Sequence, residues 1–424
     1  MSSKARPNFL LLKRNRTASL QQRVLPPSNQ RVPALEKEDW RDDIKPLIPG
    51  KYPGNVFKAF ANHPDFFKNW MRWANHVVFK SELMQSHTRQ RNLAIARTGY
   101  LKNCEYTFAS YINIGAARDG KNAHSAFTAA DVQAIQNGSQ DSHWRSNANQ
   151  SKSNDPNLDI AVLRVAEELH FDACVTEETW NMLLKSFNLK QCVDIVASCG
   201  HYTLNSYLLN SLGVQADTFK VEYTFPNFKQ TAGSIVGMAN GKRPTKPRIQ
   251  PVDKVYTPLN INVLKTMRNH QDMNKRWSTF AQYVLSNKNN SVSRRLREIA
   301  ILRTGWLCNS TYEWHQHIRM AKADCNMTMA DFKAIEIGYT SPHWNDEERI
   351  LLKATDELRF HCALNDEIWS EMNKYYSTKQ IIDLIATVGQ YTLVSYMLNS
   401  FGVQLEEDLN VTPRYDTFRP DLAM

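Results

Sequence analysis

Glycine is scarce in this 424-residue chain, with 15 in all, and the 17 prolines cluster at the N-terminus and mid-chain. Both features favour helices over sheets. No apolar run approaches the roughly 18 residues of a membrane span, so no membrane partner is expected. The seven cysteines (Cys104, Cys174, Cys192, Cys199, Cys308, Cys325 and Cys362) are odd in number and form no CxxC. That argues against a disulfide framework and for a reducing compartment, the cytoplasm. Acidic residues are missing from positions 1–35, where Lys4, Arg6, Lys13, Arg14, Arg16, Arg23 and Arg31 supply +7 of the net charge of +10. The remainder is near balance and carries no basic stripe on a nucleic-acid motif, so no nucleic acid is expected as partner. The tail reads as a solvated, disordered arm. Its Arg-rich, acid-poor, Ser-containing composition also suits a mitochondrial presequence, the alternative localisation.

What the chain does have is a repeat. Gln191 to Gln215 reads QCVDIVASCGHYTLNSYLLNSLGVQ, and Gln380 to Gln404 reads QIIDLIATVGQYTLVSYMLNSFGVQ, identical at 15 of 25 positions. Upstream, ARTGYLKNCEY (Ala96 to Tyr106) answers LRTGWLCNSTY (Leu302 to Tyr312), and FTAADVQAI (Phe127 to Ile135) answers MTMADFKAI (Met327 to Ile335). A period near 200 residues is too long for a solenoid and implies two copies of a whole domain. The expected organisation is a basic tail over 1–35, a domain over 36–225, a Gly/Pro/basic linker over 226–250, a domain over 251–412 and a tail over 413–424.

The matched blocks read as helices. Ile299, Leu302, Trp306 and Leu307 recur at helical spacing, as do Leu351, Leu352, Thr355 and Leu358. Ile381 to Leu398 is apolar on most sides, the mark of a central buried helix, and Gly402 stops it. The class is all-α.

Residues with chemistry to offer gather in the second copy. Glu313 and His317 are four apart and share a helix face, with Glu298 one helix earlier. An imidazole held by a carboxylate is a competent acid or base near neutral pH. Other readings stand beside this one. Ser310-Thr311-Tyr312-Glu313 has the form of a capping box, Glu313–His317 could be a plain helix-face pair, and Glu298 could serve a neighbouring arginine. His315, His317, Glu313 and His343 lack the spacing of an HExxH site, so no metal is expected.

The runs Arg297-Glu298-Ile299-Ala300-Ile301-Leu302-Arg303 and Tyr312-Glu313-Trp314-His315-Gln316-His317, with the closing Gly389-Gln390-Tyr391 and Asn399-Ser400-Phe401-Gly402-Val403-Gln404, resemble the carboxymuconolactone decarboxylase family. That family shares its fold with alkylhydroperoxidase D. The resemblance covers nearly all of residues 40–410. It implies a duplicated AhpD-like helical domain forming an intramolecular pseudo-dimer, with further homo-oligomers. It also implies a cofactor-independent carboxy-lyase or related proton-transfer enzyme acting on a small oxidised organic acid or lactone. In the peroxidase branch the two thiols would fall on Ser310 and Glu313, so that chemistry lacks its sulfurs. The expected catalytic residues are His317, Glu313 and Glu298, and the expected substrate contacts are Ser310, Tyr312, Trp314 and Trp344. A non-catalytic oligomerising binding protein of the same fold is the alternative, and a thiol peroxidase a third.

The first copy acts as a control. Asn92, Cys104, Thr107 and Tyr111 stand where Glu298, Ser310, Glu313 and His317 stand, so no acid or base survives there. Cys104 reads as a small packed residue. Arg97, Thr98, Gly99, Asn103 and Tyr106 recur as Arg303, Thr304, Gly305, Asn309 and Tyr312, which marks them as fold residues. Glu168 with Glu357, and Asp194 with Asp383, are acids shared by both copies and suggest structural networks.

Overall fold

The computed structural model describes residues 30–48, 53–116, 127–146, 155–217, 241–253 and 260–407. All regular structure among them is helical, with no strand. Helices recur in the same order in both halves. Pro64–Asn75 is answered by Gln271–Leu285, Thr88–Leu101 by Arg294–Leu307, and Glu105–Ala116 by Thr311–Cys325. Ala129–Asn137 is answered by Met329–Ile337, Pro156–Asp172 by Asp346–His361, and Leu189–Leu212 by Thr378–Phe401.

Local chemistry sets the helix ends. Asn188 with Gln191, and Ser377 with Gln380, form reciprocal capping boxes at the start of the two longest helices. Gly213 (φ 68°) and Gly402 (φ 67°) end them in the left-handed region, which glycine enters without a Cβ penalty. Between those ends every residue from Gln191 to Leu212 and from Ile381 to Phe401 is buried. Thr378–Phe401 is long and apolar enough to cross a membrane, a length the residue runs did not suggest. Its most apolar stretch is wholly buried inside the protein, as suits a core helix.

These two helices pack on each other, and the contacts across them are reciprocal. A Cβ on Gly200 would stand 2.8 Å from Leu393 Cγ, and one on Gly389 would stand 2.9 Å from Leu204 Cα. Asn210 Nδ2 donates to the carbonyls of Lys102 and Cys362, and Asn399 Nδ2 to those of Cys308 and Ala173. Ser211 Oγ accepts from Leu364 N, and Ser400 Oγ from Val175 N. His63 of the first half reaches Asp383 of the second at 3.1 Å, while His270 of the second reaches Asp194 of the first at 3.0 Å.

Two arginines extend the fold into segments expected to be tail and linker. Arg31 donates to Ser211 O and Leu364 O and lies over Trp369. Arg248 donates to Ser400 O and Val175 O and lies over Trp180. Residues 1–29, most of the expected linker and the 413–424 tail lie outside the described residues.

The glycine contacts generate a test. In an exposed helix, Gly→Ala stabilises by about 0.5–1 kcal/mol. At Gly200 the new methyl would also stand 3.1 Å from backbone Cα of Leu393, which cannot swing away. Gly200→Ala and Gly389→Ala should each cost about 1–3 kcal/mol, the range for overpacking, in denaturant unfolding. A gain in stability would contradict the close packing.

Candidate functional site

The turn between helices Arg294–Leu307 and Thr311–Cys325 places the second half's polar residues. Asn309 enters the left-handed region (φ 49°), as Asn103 does in the first half (φ 51°). Ser310 N then bonds back to Gly305 O at 2.9 Å, and Trp314 N to Ser310 O at 3.0 Å. The capping-box reading fails here. Ser310 makes no side-chain cap, and Glu313 turns inward instead. Its Oε2 accepts from Ser395 Oγ at 2.7 Å, on the second central helix. Its Oε1 passes so near Gly305 that a Cβ there would stand 2.9 Å away.

The carboxylate that holds His317 is therefore Glu298. Glu298 Oε2 lies 2.7 Å from His317 Nδ1, and Oε1 lies 2.9 Å from an Arg294 guanidinium nitrogen. The helix-face pairing expected of Glu313 and His317 is replaced by a cross-helix pair, because Ser395 engages the Glu313 carboxyl. Tyr391 meets the His317 ring edge-on, with centroids 4.8 Å apart. Burial pushes the Tyr391 phenol well above its ordinary value, and the neighbouring Glu298 carboxylate adds to the shift. Burial also pushes the Glu313 carboxyl well above the usual carboxylate range, with Glu298 adding and the Ser395 bond opposing. Glu313, its proton favoured by burial, thus shares a helix with a histidine oriented by the Glu298 carboxylate.

The first half replaces each of these groups. Arg91 donates to Asn92 Oδ1 and to the Tyr111 hydroxyl, which also bonds the Tyr202 hydroxyl. Cys104 Sγ bonds Thr107 Oγ1 at 3.3 Å. In the second half, Ser310 Oγ, Glu313 Oε1, Nε of Arg294 and Arg297, and both amide atoms of Gln390 are buried without a hydrogen-bond partner. His201 Nδ1, at the place of Gln390 in the first half, is unpartnered as well.

The expected substrate contacts fare unequally. Ser310 stands in the turn beside Glu313. Tyr312 instead donates to Glu406 at 2.6 Å and accepts from Val263 N, a tie that Tyr106 repeats with Asp217 and Val56 N. Trp344 Nε1 donates to Gly338 O, as Trp144 does to Gly138 O. Both are anchors common to the two halves. Trp314 is buried against Trp306, ring centroids 5.2 Å apart. Sequence reasoning missed Tyr391, Ser395 and Arg294. Only Arg294 left a signal, its i,i+4 spacing to Glu298.

All seven cysteines are free. Burial raises the pKa of every one, Cys192 and Cys199 to about 12. No thiol here has the depressed pKa that peroxide chemistry uses. An open cavity of about 340 Å³ lies in the first half, lined by Arg97, Asn137, Ser139, Glu167, Phe171 and Asp172 among others, none of them a member of the cluster. Comparison with known proteins finds no protein-family model that matches the chain, and no characterised protein that matches it either.

The raised Glu313 carboxyl has a pH signature. The folded chain keeps a proton that the unfolded chain releases as pH climbs past about 4.3. Folding therefore loses stability from that point upward, until the folded-state value is reached. Glu313→Gln keeps an acceptor for Ser395 and carries no such proton. Its thermal stability relative to the unsubstituted chain should be similar at pH 4.5 and rise progressively to pH 8. A relative stability that falls with pH would show that Glu313 is ionised in the fold.

Proposed function

We propose that the second half is a cofactor-independent proton-transfer centre of the carboxy-lyase kind that the resemblance to carboxymuconolactone decarboxylases implies, acting on a small oxidised organic acid or lactone. On this reading the halves are two AhpD-like domains joined as an intramolecular pseudo-dimer, one of which has lost its acid–base groups. The observation that carries it is the buried Glu298–His317 hydrogen bond, set against the neutral Asn92 and Tyr111 at the matching positions. Glu298 takes the Nδ1 proton of His317 in a hydrogen bond and leaves Nε2 to face a substrate. His317 Nε2 takes the carboxyl proton of the substrate acid, and the carbon–carboxylate bond then breaks to release CO2, leaving its electron pair as an enolate. Glu313, whose proton burial favours, gives that proton to the enolate carbon, and the proton held by His317 restores Glu313. Arg294, already beside Glu298, supplies positive charge for that enolate.

A non-catalytic binding protein of the same fold is the second reading. The closure of the cluster favours it, since Glu298 is 0 % exposed, Glu313 2 % and His317 6 %. Screening β-keto acids and lactones for CO2 release separates the two. With an active substrate, His317→Ala should lower kcat by roughly 10²–10⁴, the usual yield of general acid–base catalysis, with the far-UV spectrum unchanged. Tyr111→Phe should leave kcat within a few-fold. Equal losses from the two substitutions, or no turnover of any acid, would move the assignment to the binding protein. Thiol-dependent peroxide consumption would move it to the peroxidase.

A further inference from the structure

The boundary between the halves carries a second cluster, away from Glu298 and His317. His76 Nε2 and His270 Nε2 both point at one oxygen, Asp194 Oδ1, at 3.1 and 3.0 Å. The three ligand-type atoms lie within 4.8 Å of one another, and all three side chains are buried. His76 and Asp194 belong to the first half and His270 to the second. The other carboxylate oxygen, Asp194 Oδ2, is fixed by the backbone N–H of Glu82 at 2.8 Å. Trp73 stacks on the His76 ring at 5.7 Å, which holds its orientation.

The chain contains its own comparison. At the matching place in the other half, Asp383 meets His63 and the hydroxyl of Tyr283. Tyr283 stands where His76 stands. One imidazole and one phenol, with the backbone N–H and hydroxyl of Ser291 donating to Oδ2, satisfy this carboxylate with hydrogen bonds. At Asp194 the phenol is exchanged for a second imidazole, and the set becomes two nitrogens and one oxygen. A tetrahedral cation with bonds of about 2.0 Å has ligand–ligand edges of roughly 3.3 Å, close to the two His–Asp separations of 3.1 and 3.0 Å, and the histidine pair lies within 4.8 Å.

We propose that His76, Asp194 and His270 form a site for a borderline divalent transition cation, of which Zn²⁺ is the natural probe, and that the cation clips the second half to the first. Nitrogen donors select this class over Mg²⁺ or Ca²⁺, which take oxygen ligands. A water completes four-coordination. Neither histidine Nδ1 has a hydrogen-bond partner, so support around the ligands comes from the Glu82 N–H alone. That thin outer shell implies modest affinity.

The test uses the untagged full-length chain, stripped with EDTA and reloaded with Zn²⁺ or Co²⁺. The expected result is one cation retained per chain by elemental analysis, visible Co²⁺ bands of a nitrogen/oxygen tetrahedral site, and a melting temperature that rises on loading and falls again with EDTA. His76→Tyr reproduces the arrangement the chain already uses at Asp383, so it should fold and bind no cation. If that variant does not fold, Tyr283→His serves instead and should raise the stoichiometry from one to two. Failure of the unsubstituted chain to retain a cation or shift its melting temperature would overturn the proposal. So would retention undiminished in folded His76→Tyr, or a stoichiometry still at one in Tyr283→His.

Discussion

Close packing of Leu189–Leu212 on Thr378–Phe401 is the constraint on which the remaining geometry depends. Each helix is buried almost throughout, and each contributes a glycine where the other contributes a leucine. Burying one Leu or Ile fully is worth roughly 1.5–3 kcal/mol, so helices with this many apolar residues dominate the core. The same helices carry polar groups at fixed intervals. Asp194 and Asp383 receive histidines from the opposite half, and Asn210 and Asn399 bind the turns that begin the Glu105–Ala116 and Thr311–Cys325 helices. Tyr391 and Ser395 face His317 and Glu313. A shift between the two helices would therefore disturb the interface and the candidate site together.

Two carboxyl groups in one dry cluster set the second half apart from the first. Glu298 has Arg294 and His317 as partners, whereas Glu313 has a single hydroxyl. Removing a carboxylate from water is costly unless a partner compensates. Burial raises the Glu313 carboxyl, and the Ser395 hydroxyl opposes that only in part. In the first half Asn92 and Thr107 remove both carboxyls, and Tyr111 forms hydrogen bonds with Arg91 and Tyr202. The same scaffold thus pairs Arg91, Asn92, Tyr111 and Tyr202 with one another in one half and leaves Ser310 Oγ and Glu313 Oε1 unpartnered in the other.

Much of this could be read from residue patterns. The all-helical class, the buried run from Ile381 and its stop at Gly402 follow from spacing and from the absence of a Cβ. Glu298, Glu313 and His317 were legible as residue types missing from the first copy. Their pairing was not, because Ser395 draws Glu313 away from a partner that helix spacing suggested. Tyr391 and Ser395 were hidden by the comparison itself, since Tyr202 and Ser206 make them look like scaffold. Tyr312 and Trp344 hold structural ties that the residue runs did not show. Their chemistry suited a pocket, while the matching Tyr106 and Trp144 show them to be anchors. Arg31 and Arg248 looked like loose charge in polar segments. Composition does not reveal that each lies over a tryptophan and reaches helix-end carbonyls.

The central claim is that Glu298 orients His317 and leaves its outer nitrogen available. Nitrogen-resolved NMR of the ¹⁵N-histidine-labelled chain, assigned with His317→Gln, reads that directly. The account predicts that neutral His317 carries its proton on Nδ1, with a downfield hydrogen-bonded proton signal that Glu298→Ala abolishes. A His317 ring protonated on Nε2, or a signal indifferent to Glu298→Ala, would contradict it.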